Sequence, residues 1–144
     1  MDIRAVKKEW AGWSFDRIDF EVDRDSMLAF AEAVGERQPR FIDPEHPDFQ
    51  AVPNFTAKFH GHRQLPEGFP MVREKSFDGG KAVECHAPIR PGDTITAEST
   101  IHDIFEKTGR SGGMMFVVHR MRFTNQRGEL VSIVDWKMLQ KLDG

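Results

Sequence analysis

Three long segments of alternating polar and apolar residues, within positions 94–139, restrict the fold of this chain more than any other feature of its sequence. The first, 94–107, carries on one face Ile95, Ala97, Ser99 and Ile101. The second, 114–123, carries on one face Met115, Val117, His119, Met121 and Phe123. Alternation of this kind predicts strands, and the glycine-bearing turns at 109–113 and 125–129 predict an antiparallel meander that ends with 130–139. The alternation loses phase near Asp103–Ile104, where we expect a bulge.

The first half of the chain offers one strong helix, over residues 24–34, with apolar residues at helical spacing. Asp23 is placed to cap its start and Gly35 to end it. Prolines make long regular structure unfavourable over 36–56; a short helix is predicted at 54–60 and a strand at 81–87. One helix followed by one antiparallel sheet predicts an α+β fold, in a single domain over 1–144, with the sheet curled around the helix.

Composition excludes several classes of function. The net charge is −3 and the basic residues are scattered, so nothing favours binding to nucleic acid or to an anionic membrane surface. No stretch approaches the ~20 apolar residues of a membrane span. A single cysteine, Cys85, permits no disulfide within the chain and fits a cytoplasmic protein. Because Cys85 falls in a predicted strand, we expect it to be buried.

Two stretches carry a family resemblance. The first is "FAEAVGERQPRFID" at 30–43, and the second runs over 86–131 through a Pro-Gly-Asp turn and an Asn-Gln-x-Gly-Glu turn. Together they resemble the MaoC-like acyl dehydratases, in particular their N-terminal, FAS1-type dehydratase domain. The resemblance implies a hot-dog fold, no cofactor or metal, pairing of two hot-dog units, and reversible hydration of 2-enoyl thioesters of CoA or of an acyl-carrier protein.

Active units of that family carry a Gly-Asp-x-Asn-Pro-x-His motif directly after the helix. Aligned on this sequence, the motif glycine is Gly35 and its aspartate is replaced by Glu36. Its asparagine is replaced by Gln38, a candidate substrate contact, and its histidine by Phe41, while Asp43 matches an acid that often follows. Phenylalanine cannot exchange a proton, so we expect this loop to be weak or inert in hydration. Phe41 either seals the core or forms a wall of an acyl pocket.

Other residues are candidates for the missing chemistry. His62 could replace the motif histidine, and His60 and Asn54 could contact substrate, although Asn54 is better placed to cap a helix. His60 and His62 with His46 or Asp48 could also suggest a metal site, but the spacing matches no known ligand pattern and we predict none.

The sequence therefore predicts a hot-dog subunit of an (R)-specific enoyl hydratase or 3-hydroxyacyl dehydratase. It is expected to be the substrate-supporting half, lacking the motif histidine and working beside a second hot-dog subunit. Two alternatives stay open. One is a non-catalytic acyl-CoA-binding homodimer, and the other is a hot-dog thioesterase in which Glu36 or Asp43 activates water.

Overall fold

A computed structural model describes residues 1–143, and five antiparallel strands in one sheet dominate it. The strands are β1 (Ser14–Glu21), β2 (Ser76–Cys85), β3 (Thr94–Gly109), β4 (Gly112–Thr124) and β5 (Leu130–Lys141). Their order across the sheet is β1-β3-β4-β5-β2, so that β1 and β2 form its edges. The predicted meander is confirmed, and the bulge lies between Ile101 and Asp103, beside its predicted position.

The predicted helix, α2 (Arg24–Ala33), packs against the inner face of the sheet. Met27 and Ala31 have no exposed surface, and Met27 belongs to the main core with Phe123. Asp23 caps the helix by accepting from the Ser26 amide at 2.6 Å, as predicted. The helix ends at Gly35, whose φ of +73° suits glycine. Val34, expected on the apolar face, is instead 47% exposed.

Two elements were not predicted from the sequence. Helix α1 (Ile3–Trp10) covers the end of the sheet near the β3–β4 turn, and strand β1 pairs with β3. In α1, the side chains that face the sheet are Ile3, Val6 and Trp10, which pack in a second core with Ile101 and Ile104. Helix α1 is thus an addition to the predicted fold, and the sheet curled around one central helix, α2, is confirmed.

The segment between α2 and β2 is mostly irregular, as its prolines predict. It contains a one-turn helix, α3 (Pro39–Ile42), and two short 3₁₀ helices, Phe55–Lys58 and Arg73–Lys75. The helix expected at 54–60 is the first of these 3₁₀ helices. Strand β2 begins at Ser76, five residues earlier than 81, and Cys85 at its end is exposed. The predicted burial of Cys85 was wrong because β2 lies at the edge of the sheet.

No helix in the described part of the chain is long and apolar enough to cross a membrane.

Candidate substrate-binding site

The loop after α2 is held by its own backbone. The Glu36 amide donates to Ala31 O at 2.9 Å and the Gly35 amide donates to Glu32 O at 3.1 Å, a Schellman arrangement that closes the helix. The Glu36 carboxylate then turns back, and its Oε1 accepts from the amides of Arg37 and Gln38, both at 3.0 Å. One oxygen of this acid is therefore already used to shape the loop.

Phe41 points into the protein. Its side chain is 3% exposed and packs against Ala31 of α2 and against Val52. Of the two roles expected for Phe41, the geometry agrees with sealing of the core. Asp43 and Gln38 are exposed, and Asp43 Oδ1 accepts from the Glu45 amide at 2.9 Å. This loop therefore presents carboxylates to solvent but no acid–base pair.

His60 and His62 lie elsewhere, on the segment that leaves the first 3₁₀ helix and crosses the sheet toward β2. The His62 amide donates to Asp16 Oδ2 at 2.6 Å, which ties this segment to β1. The His60 ring lies 5.3 Å from the Trp136 ring of β5. Asn54 starts the 3₁₀ helix, but its side chain makes no capping hydrogen bond. Within residues 1–143, no hydrogen bond joins either histidine to the loop after α2.

A cavity of about 600 Å³ opens beside His62, between the 62–78 segment and β5; we call it the β2–β5 cavity. Its apolar lining is formed by Leu65, Met71, Phe77, Trp136 and Met138. Its polar lining includes His62, Arg73 and Asp78. The volume lies within the range of about 300–1,000 Å³ typical of ligand pockets. A second cavity, of about 200 Å³ beside Val52 and Cys85, is smaller than that range.

Lys81 organises the polar groups behind Trp136. Its ammonium donates to Ala57 O at 2.8 Å and to Phe59 O at 3.0 Å, and it lies 3.0 Å from His60 Nδ1. It also lies 5.1 Å from the centre of the Trp136 ring, a cation–π distance. Burial lowers the pKa of Lys81, and the charge of Asp78 opposes that shift.

The contact with Lys81 determines which ring nitrogen of His60 carries the hydrogen. An ammonium can only donate, so His60 Nδ1 accepts and Nε2 carries the ring hydrogen. Burial and the Lys81 charge lower the pKa of His60, which keeps the ring neutral near pH 7. His60 therefore offers one N–H donor next to Trp136. Asp78 Oδ1 accepts from Trp136 Nε1 at 2.8 Å and so holds the indole in place.

His119 of β4 lies behind the same indole, with its ring centre 6.1 Å from that of Trp136. The side chain has no exposed surface, and neither ring nitrogen has a hydrogen-bond partner in the described part of the chain. Burial, and after it the charge of Lys81, lowers the pKa of His119 to about 4. The Gln64 backbone lies close enough to oppose this shift, but not in hydrogen-bonding geometry.

The structure thus separates two groups of residues predicted for one site. Glu36, Gln38, Phe41 and Asp43 stay on the loop after α2. His62 lines the β2–β5 cavity, and His60 lies beside Trp136 without lining the cavity itself. Reasoning from sequence missed Lys81 and Trp136, although a lysine on the inward face of a predicted strand is an unusual signal. Among the described residues, no three His, Cys, Asp or Glu side chains are grouped so as to hold a metal ion.

Comparison with known sequences agrees with this picture. The family model described as "FAS1-like, dehydratase domain region" matches residues 9–134. A UPF0336 protein from Streptomyces avermitilis is 30% identical over 116 residues, which are 73% of this chain and 77% of that relative.

Solved structures share the fold. The HadBC complex of Mycobacterium tuberculosis, a 3R-hydroxyacyl-ACP dehydratase, has a TM-score of 0.71 and 26% identity, and the match covers 96% of this chain and 98% of that one. The ChsH1–ChsH2 complex of the same organism has a TM-score of 0.67 and 18% identity, with 96% and 92% of the two chains covered. Together with the sheet topology, these similarities confirm the fold predicted from the sequence.

Proposed function

This chain belongs to the FAS1-like dehydratase domain family, and from that premise we propose that it is the substrate-supporting half of a two-subunit enoyl-thioester hydratase or 3-hydroxyacyl dehydratase. It binds an acyl thioester of CoA or of an acyl-carrier protein. A second hot-dog subunit supplies the aspartate and histidine that activate water. The single cysteine, Cys85, fits an enzyme of the reducing cytoplasm.

The observation that carries this proposal is the burial of Phe41 at the position of the motif histidine. In hydration, the water oxygen adds to Cβ, one water proton goes to a base, and an acid delivers a proton to Cα. Phe41 can do neither, and Glu36 already uses one carboxylate oxygen to hold its own loop. The chain therefore lacks an acid–base pair where the family places one.

The β2–β5 cavity supports the binding half of the proposal. Its wall of Leu65, Met71, Trp136 and Met138 suits an acyl chain, since apolar surface removed from water contributes about 25 cal/mol per Å². His60 does not line the cavity, but its Nε2–H, oriented through Lys81, lies beside Trp136 and is the donor that we propose for the thioester carbonyl oxygen. The similarity to HadBC, which is a complex of two proteins, supports a second subunit.

Turnover measured with and without a partner tests the proposal. The partner is a hot-dog subunit from the same genome that carries the intact Gly-Asp-x-Asn-Pro-x-His motif. Hydration of crotonyl-CoA and of a long-chain enoyl-CoA is followed by loss of the enoyl absorbance. We expect no turnover by this chain alone, turnover by the pair, and loss of turnover when the partner's motif histidine is replaced by alanine.

Variants of this chain locate the acyl group. Met71→Trp fills the β2–β5 cavity and should lower kcat/KM of the pair for the long-chain substrate about 100-fold, with a smaller effect on crotonyl-CoA. Ile133→Trp, on the opposite face of the sheet, is the control and should leave both values unchanged. Robust hydration by this chain alone, or equal effects of the two variants, would contradict the proposal.

The two alternatives give different results in the same assays. A thioesterase releases free CoA, detected with a thiol reagent, and loses this activity in Glu36→Gln or Asp43→Asn. A non-catalytic binding homodimer binds long-chain acyl-CoA tightly but shows no turnover in any mixture.

A further inference from the structure

The outer face of the sheet, turned away from α1 and α2, carries a continuous row of large apolar side chains. Register places Phe105 of β3 opposite Phe116 of β4, Phe116 opposite Leu139 of β5, and Leu139 opposite Phe77 of β2. The Phe105 and Phe116 rings are stacked, with centres 5.0 Å apart, and Phe77 is 52% exposed. Phe105, Phe116 and Leu139 are half-buried, and the row crosses four neighbouring strands.

Three lysines border the row. Lys107 of β3 and Lys141 of β5 lie on either side of Met114 of β4, two residues from Phe116 toward the β3–β4 turn. Lys137 of β5 lies opposite Val118, two residues from Phe116 in the other direction. The Lys107 ammonium lies 5.7 Å from the Phe105 ring centre and 5.4 Å from that of Phe116. We call the four apolar residues and these three lysines the outer patch.

The outer patch carries positive charge that the chain does not neutralise. Within the described residues, none of its three lysines forms an ion pair. The nearest acids are otherwise placed: Asp103 pairs with Lys7 at 3.0 Å, and Glu106 lies opposite the inward-facing Met115.

Several charges elsewhere on the outer face are paired. Arg120 donates to both carboxylate oxygens of Asp135, each at 2.8 Å, and Arg17 lies 3.8 Å from Glu98. The three lysines of the outer patch, which have no such partner among the described residues, therefore place positive charge around the apolar row.

We propose that the outer patch docks an acidic amphipathic helix of a partner protein. Apolar residues of such a helix would cover the row, and its flanking carboxylates would pair with the three lysines. A second copy of this chain is a poor occupant, since two symmetric patches would bring six lysines together. Phe77 also lines the β2–β5 cavity, so a docked partner would stand beside the mouth of that cavity.

Binding of a synthetic peptide tests the docking directly. The probe is a labelled amphipathic helix with leucines on one face and glutamates beside them, and the matched probe has lysines in place of the glutamates. Fluorescence anisotropy should show salt-sensitive binding of the acidic peptide only. Backbone NMR shifts on binding should be confined to the start of β2 and to the ends of β3, β4 and β5 that form the patch.

Charge reversal identifies the residues. Lys107→Glu, Lys137→Glu and Lys141→Glu together should raise the Kd for the acidic peptide about tenfold or more. Phe105→Ser should also weaken binding, without the salt dependence changing. The control protein carries Lys8→Glu, Arg24→Glu and Arg37→Glu, the same change in charge at exposed positions away from the patch, and should bind like the unaltered chain.

Several results would overturn the proposal. These are equal binding of the two peptides, equal effects of the two triple variants, or NMR shifts outside the patch. Tighter binding to anionic phospholipid vesicles than to the peptide, abolished by the patch variant, would identify a membrane surface instead. Self-association abolished by that variant would identify a second copy. None of these results depends on hydratase turnover, so the proposed function is tested separately.

Discussion

His119 is a titratable side chain that the fold keeps wholly away from water and without a hydrogen-bond partner in the described structure. It lies between the ring of Phe15, 5.0 Å away between centres, and that of Trp136. The ring is therefore held neutral by packing, and its burial costs additional free energy when the pH favours the charged form.

We predict that His119 makes the protein less stable in acid. Its pKa falls from 6.5 when unfolded to about 4 when folded, so the unfolded chain binds the proton first. Stability present above about pH 6.5 is lost as the pH falls toward about 4, and by about pH 5 the loss is about 2 kcal/mol. Urea unfolding at several pH values should show this slope reduced in His119→Phe. The exposed His102→Gln is the control and should keep the slope; the same slope in His119→Phe would contradict the assignment.

Substitutions at Phe41 test both the stability of the fold and the hydration activity of the chain. Phe41→Ala should cost about 3–5 kcal/mol of unfolding free energy because it leaves a cavity between Ala31 and Val52. Phe41→His restores the family's motif letter but buries an imidazole in an apolar site, so it should destabilise the fold without conferring hydration of crotonyl-CoA. Ile42→Ala, at a side chain that is 42% exposed, is the control for both measurements. Hydration by Phe41→His alone would contradict the account.

At the scale of elements, the helices and strands that could be predicted from the sequence are those with a regular pattern of apolar residues on one buried face. The apolar residues of α2 recur at helical spacing and those of β3–β5 at every second position, because each element turns a single face to the core. Helix α1 was missed because three buried residues, Ile3, Val6 and Trp10, stand among charged ones. Strand β1 was missed because Asp16 lies on the inner face, where it binds the amides of His62 and Arg63.

The candidate site was harder to predict than the fold because its parts are distant in sequence. The resemblance identified the loop after α2 and the substitution at Phe41. The β2–β5 cavity instead combines residues near 62–78 with Trp136 and Met138, and no local pattern links these segments. His60 and His62 were recognised by residue type alone. Their contacts, with Lys81 for His60 and with Asp16 for the His62 amide, join residues distant in sequence.

Lys81 joins β2 to the 3₁₀ helix Phe55–Lys58, so its substitution should loosen the connection between these two elements. Lys81→Met keeps the stem of the side chain but removes the hydrogen bonds to Ala57 O and Phe59 O. We expect a loss of about 1–3 kcal/mol and faster hydrogen exchange in the segment 57–65, with little change in α1. Lys8→Met is the control for losing a lysine charge. Unchanged exchange over 57–65 would show that Lys81 does not hold this segment.

At the scale of the whole molecule, the chain has the hot-dog fold of its family, and the loop after α2 and the β2–β5 cavity lie apart in it. The loop after α2 is closed by a Schellman arrangement and by buried Phe41, so it is stable but offers no proton-transfer pair. The opposite end of the sheet has an open cavity with both apolar and polar lining residues, and His60, oriented by Lys81, lies beside its Trp136. This division is what we expect of a subunit that holds a substrate for chemistry performed by another.

A crystal structure of this chain paired with its motif-bearing partner, and bound to a non-hydrolysable thioether analogue of a long-chain acyl-CoA, tests this division most directly. The account predicts acyl carbons against Leu65, Met71 and Met138, with the analogue's carbonyl, one carbon away from the sulfur, directed toward the partner's aspartate and histidine. An acyl chain bound outside this cavity, or a carbonyl placed beside Glu36 of this chain, would contradict it.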